Sequence, residues 1–208
     1  MIRPEGFRGV AFGDASDGDA RQDPGARSRI SASLGISDRW AWLRQVHGAG
    51  VAAVTGPGDG GEADAAFTVV PGLPIAVSTA DCLPVMLEGD GAVGVAHAGW
   101  RGAAAGVVRA VRRAMENAGV PPSRAAIGPG IGPCCFEVGS EVADRFPGHA
   151  SETGWGTLSV DLPAAVAADL EGLRIWMSRD CTRGDDRFHS YRRDGTSARQ
   201  VAIAWLPA

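Results

Sequence analysis

Short apolar runs closed by glycine or proline fill most of this chain, and they limit it to a fold with many brief strands. The runs Trp40–Val46, Val51–Val54, Ala66–Val69, Ile75–Ser78, Val85–Glu88, Val93–His97, Ala125–Ile127, Ile175–Ser178 and Val201–Leu206 read as strands. Only three stretches carry a helical signal. In Gly102–Ala118, the residues Ala104, Val107, Val108, Val111, Ala114, Met115 and Ala118 recur at spacings of three and four and make one apolar stripe, which Gly119 and Pro121 end. A second helix is predicted over Ser140–Phe146, with Ser140 as its cap. A third follows Asp161, with Pro163 in its first turn, and stops before Gly172. Strands outnumber helices and the two do not alternate strictly. The expected fold class is therefore an α/β (α+β) sandwich with mixed β-sheets flanked by helices.

The chain has 208 residues, which fits one domain, residues 1–208, with a sizeable core. Residues 13–29 are rich in Gly, Asp and Arg and read as a polar, partly mobile surface loop. No internal repeat and no linker is visible. The net charge of −4 argues against a nucleic-acid partner. All 20 basic residues are Arg, so chemistry through a lysine Schiff base is excluded. No run approaches the ~18 apolar residues of a membrane span, and the first residues lack the apolar core of a signal peptide. A cytoplasmic location is expected by default.

His47, Cys82 and His97 each sit at the edge of an apolar run beside a turn signal, in QVHGAGV, STADCLPVML and VAHAGWRG. Two imidazoles and a thiolate suit zinc, or less often copper, and three protein ligands leave one coordination position open. The alternative for Cys82 is a free nucleophile activated by His47 or His97. A metal-bound thiolate is a poor nucleophile, so the two readings compete. A structural role for each residue is the third: a buried small thiol, or a hydrogen-bonded histidine.

Other residues are candidates beside these. Arg101 lies where a strand meets the start of the long predicted helix, and helix N–H groups with a guanidinium would hold phosphate or carboxylate. Asp81, Asp64 and Glu137 are candidate acid/base or supporting carboxylates, and each could equally be a turn or capping residue. His189 and Arg192 belong to a basic, aromatic patch, RFHSYRRDG, suited to an anionic or planar ligand. The loop IGPGIGPCCFEVG has backbone amides that could line a cleft, but no Walker lysine follows. Cys134 and Cys135 rarely bridge as neighbours, and a reducing compartment argues against a disulfide framework.

QVHGAGV, ADAAFT, STADCLPVML, VAHAGWRG, IGPGIGPCCFEVG and FHSYRRDG, in this order from Gln45 to Gly195, resemble the YfiH-like family. That family was once labelled multicopper polyphenol oxidase (laccase domain). It is now usually described as purine nucleoside phosphorylases with adenosine deaminase and methylthioadenosine phosphorylase activities. The resemblance implies a zinc site at His47, Cys82 and His97, with copper as the alternative ion. It implies an α/β sandwich like the catalytic domain of cytotoxic necrotizing toxins, and a purine nucleoside and phosphate as substrates. One relative is described as a peptidoglycan editing enzyme, so an amidase using the same three residues is a second reading. A copper-dependent polyphenol oxidase is a third, although four histidines are too few for a multicopper cluster. A non-catalytic, metal-stabilised binding module is a fourth, with Cys134, Cys135 or Cys181 closing the coordination. The sequence departs from the family in AFGDASDGDA, near the N-terminus, and at Ala198-Arg199, where Gly-Arg is usual.

Overall fold

The computed structural model describes residues 1–207. In chain order the strands are β1 Val10–Phe12, β2 Ala41–Arg44, β3 Val51–Ala53, β4 Gly58–Glu62, β5 Ala65–Thr68, β6 Ile75–Thr79, β7 Leu83–Gly89, β8 Ala92–Ala98, β9 Pro122–Ile127, β10 Ala150–Glu152, β11 Leu158–Val160, β12 Arg174–Met177 and β13 Gln200–Ala204. The helices are α1 Pro24–Leu34, α2 Trp100–Ala104, α3 Val107–Asn117, α4 Ser140–Ala143, α5 Leu162–Ala168 and α6 Tyr191–Asp194. Two mixed sheets result. One has five strands in the order β1-β13-β6-β2-β4, the other six in the order β12-β9-β7-β8-β5-β3. This is the single-domain α+β sandwich that the sequence implied.

Period-two alternation sorts the strand residues into layers. Val10, Phe12, Ile75, Val77, Ala202 and Ala204 of the first sheet meet Met86, Val93, Val95 and Ala126 of the second in one buried cluster. The alternate residues Ala11, Ala76, Val201 and Ile203 face outward against Ile30 of α1 and Trp40. On the far side of the second sheet, Val85, Leu87 and Ala96 pack on Val107, Val108, Val111 and Met115 of α3. The order of layers is therefore helix, sheet, sheet, helix. Gly94 lets α3 lie close, since a Cβ there would stand 2.9 Å from Met115 Sδ. Among the described residues no helix is long and apolar enough to cross a membrane.

The structure corrects several expectations. The polar stretch 13–29 is not a continuous loop. Asp14 caps a 3-10 turn at Ala15–Asp17, and Asp23 accepts from Gly25 N to start α1 with Pro24 in its first turn. Its polarity concealed the helix, because α1 buries only Ala26, Ile30 and Ser31. The long helix expected at Gly102–Ala118 breaks at Gly106, whose φ of +82° is left-handed, so α2 has only five residues. The helices at Ser140 and after Asp161 form but end earlier, at Ala143 and Ala168, and Asp161 does cap the latter through Ala164 N. Strands β1, β4, β10 and β11 carry too little apolar alternation to be read from sequence; β4 is GDGGE.

Gly128, just after β9, lies against the other sheet, and a Cβ there would clash with Cδ1 and Cε1 of Phe12. Gly128→Ala should cost about 1–3 kcal/mol by overpacking. Gly56, with nothing within 4 Å of a Cβ, is the control; its alanine variant should shift stability by less than ~0.5 kcal/mol. Urea unfolding of the two variants checks this, and equal stabilities would contradict the packing described.

Candidate metal centre

The site forms where the chain passes from one sheet to the other. Between β2 and β3 it crosses at His47, between β4 and β5 at Asp64, and between β6 and β7 at Asp81 and Cys82. His97 ends β8, on the face that β8 turns toward the inter-sheet core through Val93 and Val95. Each crossing takes the backbone out of its ladder, so its N–H groups need other acceptors.

Asp64 is that acceptor, and it is fully buried at 0% exposure. Its Oδ2 accepts from Val46 N at 3.1 Å and Gly48 N at 2.6 Å, and its Oδ1 accepts from His47 N at 2.9 Å. Oδ1 also lies 2.8 Å from His97 Nδ1. One carboxylate thus folds the QVHG turn and orients the His97 ring, leaving Nε2 free for a ligand. Burial works to raise the Asp64 carboxyl, and the hydrogen bonds from His97, Gly48 and Val46 outweigh it and hold it below its ordinary value. Gln45 braces the same turn: its Nε2 donates to Ser78 O and its Oε1 accepts from Ser78 N, each at 2.9 Å. The side chain so prolongs the β2–β6 pairing beyond Trp42.

His47, Cys82 and His97 are brought together, with their ligand atoms all within 4.8 Å of one another. The two rings meet edge-on, with centroids 4.8 Å apart. Donors ~2.0–2.3 Å from one tetrahedral ion would stand about 3.3–3.8 Å apart, so the cluster needs only a small contraction to close on a metal. Gly99 has an ordinary φ of −68° and serves by its lack of bulk. A Cβ there would stand 2.8 Å from Cys82 Sγ and 3.2 Å from His47 Cδ2. The backbone is strained at two positions, His47 with φ +60° and Asp81 with φ +85°. Burial pushes the Cys82 thiol up, but hydrogen bonds from His47 and His97 bring it down to about 6. Burial likewise pulls His97 down, and Asp64 and Cys82 raise it to about 9. The metal-free centre is therefore a thiolate–imidazolium pair between those values.

Asp81 is buried and its two oxygens are engaged, Oδ1 by Thr182 Oγ1 and Oδ2 by Arg192 N, each at 2.7 Å. Both contacts brace the strained turn before Cys82, the turn role that the sequence left open beside an acid/base one. A cavity of about 590 Å³ opens over the centre. Arg21, Arg44, Arg101, Arg192 and Arg199 line it, against a single carboxylate, Asp81. Arg21, Arg192 and Arg199 donate to backbone carbonyls, and Arg44 faces Asp59 and Glu62. Arg101 stacks over Trp100 at 4.3 Å and, among the described residues, has no hydrogen-bond or ion-pair acceptor. The helix beside it, α2, has five residues and so builds less dipole than the long helix expected from the sequence.

Two other expected ligand residues fall outside the lining. Glu137 is exposed and accepts from Trp155 Nε1 at 2.9 Å. His189 is tied through its backbone N to Gln200 Oε1 at 2.9 Å. Residues that sequence reading missed include Arg21, Arg44, Gln45, Thr79 and Tyr191. Gln45 was visible as part of QVH, whereas Arg21 and Arg44 had no motif to mark them. Thr79 Oγ1 is buried, lines the cavity and, among the described residues, has no hydrogen-bond partner.

Comparison with known proteins agrees with this architecture. The family model described as multi-copper polyphenol oxidoreductase laccase matches residues 4–207. A protein of Streptomyces coelicolor named purine nucleoside phosphorylase is 43% identical, over 88% of this chain and 84% of its own. The crystal structure of YlmD from Geobacillus stearothermophilus superposes with a TM-score of 0.82 at 31% identity, over 100% of this chain and 87% of that one. That of the hypothetical protein YfiH from Bacillus licheniformis gives 0.80 at 27% identity, over 87% and 79%.

Asp64→Asn places an amide N–H₂ among groups that all donate, so the turn and the His97 ring lose their anchor. Affinity for added zinc, measured by competition with a chelator, should fall about 10–100-fold; an unchanged affinity would mean that Asp64 does not organise the centre. In metal-free protein, the thiolate absorbance lost on Cys82→Ala should grow as pH rises through about 6. A midpoint at the ordinary thiol value would contradict the pairing with the histidines.

Proposed function

The chain belongs to the multi-copper polyphenol oxidoreductase laccase family, and on that premise we propose that it is a metal-dependent purine nucleoside phosphorylase. The observation that carries this reading is the ring of five arginines around the cavity that contains His47, Cys82 and His97. Such a ring suits an anionic co-substrate, and phosphate is the one phosphorolysis needs. The relative named for that activity supports it.

The donor set fits zinc: one thiolate of lowered pKa, and two imidazoles, one with its tautomer fixed by a buried carboxylate. When bound by His47, Cys82 and His97, zinc would supply a Lewis acid. The protein's own residues do the rest. Arg101, with its donors unspent, takes phosphate, and Arg192 and Arg44 add charge around it. Phe136, Trp100 and Tyr191 line the same cavity and offer faces to a purine; Tyr191 is 61% exposed, free to close over a ligand. Thr79 Oγ1 offers a hydrogen bond to the sugar or base. Attack of an oxygen of hydrogen phosphate on C1′ of the ribose then breaks the glycosidic bond; the proton that phosphate gives up ends on the departing base, yielding free base and ribose 1-phosphate.

The other readings have less support. Adenosine deamination calls for a free carboxylate as proton shuttle, while Asp64 is sealed beneath His97 and Asp81 is spent on the turn. A multicopper oxidase needs more imidazoles than the two here; His149 lines a separate small cavity, and His189 is not among the residues lining the cavity of the centre. Amide hydrolysis by Cys82 retains one supporting observation, the lowered thiol beside His97.

Adenosine or inosine with phosphate should give free base and ribose 1-phosphate, and neither without phosphate, by chromatography of the products. Base release independent of phosphate, or no turnover of any purine nucleoside by zinc-loaded protein, would reject phosphorolysis. Arg101→Ala should raise the KM for phosphate about 10–100-fold, the loss of ~1.5–3 kcal/mol in charge-assisted hydrogen bonds, and leave that for nucleoside nearly unchanged. An equal rise in both would remove Arg101 from the phosphate site.

A further inference from the structure

A second cluster of metal-type ligands lies outside the cavity. Strands β9 and β12 run parallel and in register, and their pairing continues past the strand ends as a bridge between Gly130 and Cys181. The loop after β9 carries Cys134 and Cys135, and the loop after β12 begins with Cys181. Thr182 N donates to Gly130 O at 3.0 Å, which locks the two loops together. The three sulfurs lie within 4.8 Å of one another, Cys134 Sγ and Cys135 Sγ being 3.5 Å apart. All three are free thiols, and none lines the cavity of the first centre.

We propose that Cys134, Cys135 and Cys181 form a second metal site, for a thiophilic d10 ion of the zinc or cuprous kind. Sulfur–sulfur separations around an ion with ~2.3 Å metal–sulfur bonds are about 3.8 Å for a tetrahedral site and about 4.0 Å for a trigonal one. The observed spacing brackets these values. Among the described residues no histidine or carboxylate joins the cluster, and an all-sulfur set selects soft ions. The surroundings are those of a ligand cluster. Gly132 N donates to Cys181 Sγ at 3.2 Å, a bond that orients the sulfur and supports its charge. A Cβ on Gly132 would stand in ordinary contact with Cys134 Sγ at 3.5 Å and Cys181 Sγ at 3.7 Å, so the Gly132 backbone passes close to both sulfurs. Cys134 O accepts from Gly154 N at 2.8 Å, and Cys135 N donates to Gly132 O at 3.0 Å, so the loop holds its sulfurs by its backbone. Cys134 is exposed, which gives an ion a way in. The site is independent of whatever reaction occurs at His47, Cys82 and His97.

Cadmium is the probe, because each bound thiolate adds ultraviolet charge-transfer absorption, and a reductant keeps the thiols free. The full-length Cys82→Ala chain should still bind about one cadmium ion with thiolate absorption, and adding Cys134→Ser and Cys181→Ser should abolish it. In the unaltered chain, cadmium should protect Cys134, Cys135 and Cys181 from alkylation, read peptide by peptide by mass spectrometry. This arm stands even where the multiple variant fails to fold. Zinc and cuprous ion, each added alone, should displace the cadmium if either is the occupant. No second equivalent of cadmium together with unprotected cysteines would overturn the proposal. So would loss of two hydrogens to a disulfide on mild oxidation with no ion bound under reductant.

Discussion

The carboxylate of Asp64 is the interaction on which the centre depends. A sandwich whose chain repeatedly changes sheets at one edge must there satisfy N–H groups that have left their ladders. At the His47 crossing one buried anion accepts three consecutive N–H groups and the Nδ1 side of His97. The turn and the second imidazole therefore cannot move independently. An uncompensated buried charge would be costly; here four partners stabilise it, and the folding requirement and the ligand geometry become one arrangement.

Strain at the site follows from the same crossings. His47 and Asp81 both take left-handed backbone angles, which residues with a Cβ seldom adopt. The surroundings hold each one: Asp64 around His47, and Thr182, Arg192 and Ile131 around Asp81. Two independent turns deliver the donors, and Gly99 keeps the space between them empty. Strain of this kind persists only where neighbouring contacts over-determine it.

This division explains what could be read from the sequence. His47, Cys82 and His97 stood out because each lies at the edge of an apolar run near a turn residue: Gly48 follows His47, Pro84 stands two residues after Cys82, and Gly99 two after His97. The strands around them were legible because their alternation reflects burial on two faces. The helix over 102–118 was misread at Gly106, since an apolar stripe runs through the break and only the backbone angle reveals it. Helix α1 was hidden for the opposite reason, a polar surface around two or three buried contacts. Arg21, Arg44 and Arg199 reach the cavity from separate elements, and long polar side chains carry no periodic signal. Glu137 and His189, selected for their chemistry within a motif, lie outside the cavity lining: the Glu137 carboxylate accepts from Trp155 Nε1, and the His189 backbone N–H donates to Gln200 Oε1.

Charge distribution gives the cavity its selectivity. The chain as a whole carries −4, yet the rim of the cavity is cationic, and its floor holds a thiolate over a buried carboxylate. A divalent cation at the floor and an anion at the rim would each be held by the half of opposite sign. Either one alone would leave the other half uncompensated in a partly desolvated space, where charges are weakly screened. The two occupants should therefore bind with mutual support: the cation's three donors are already assembled, and Arg101 has its donors unspent, while Arg21, Arg192 and Arg199 still donate to backbone carbonyls. A substrate that is neutral at one end and meets an anion at the other, as a nucleoside beside phosphate does, matches that polarity better than a uniformly apolar phenol.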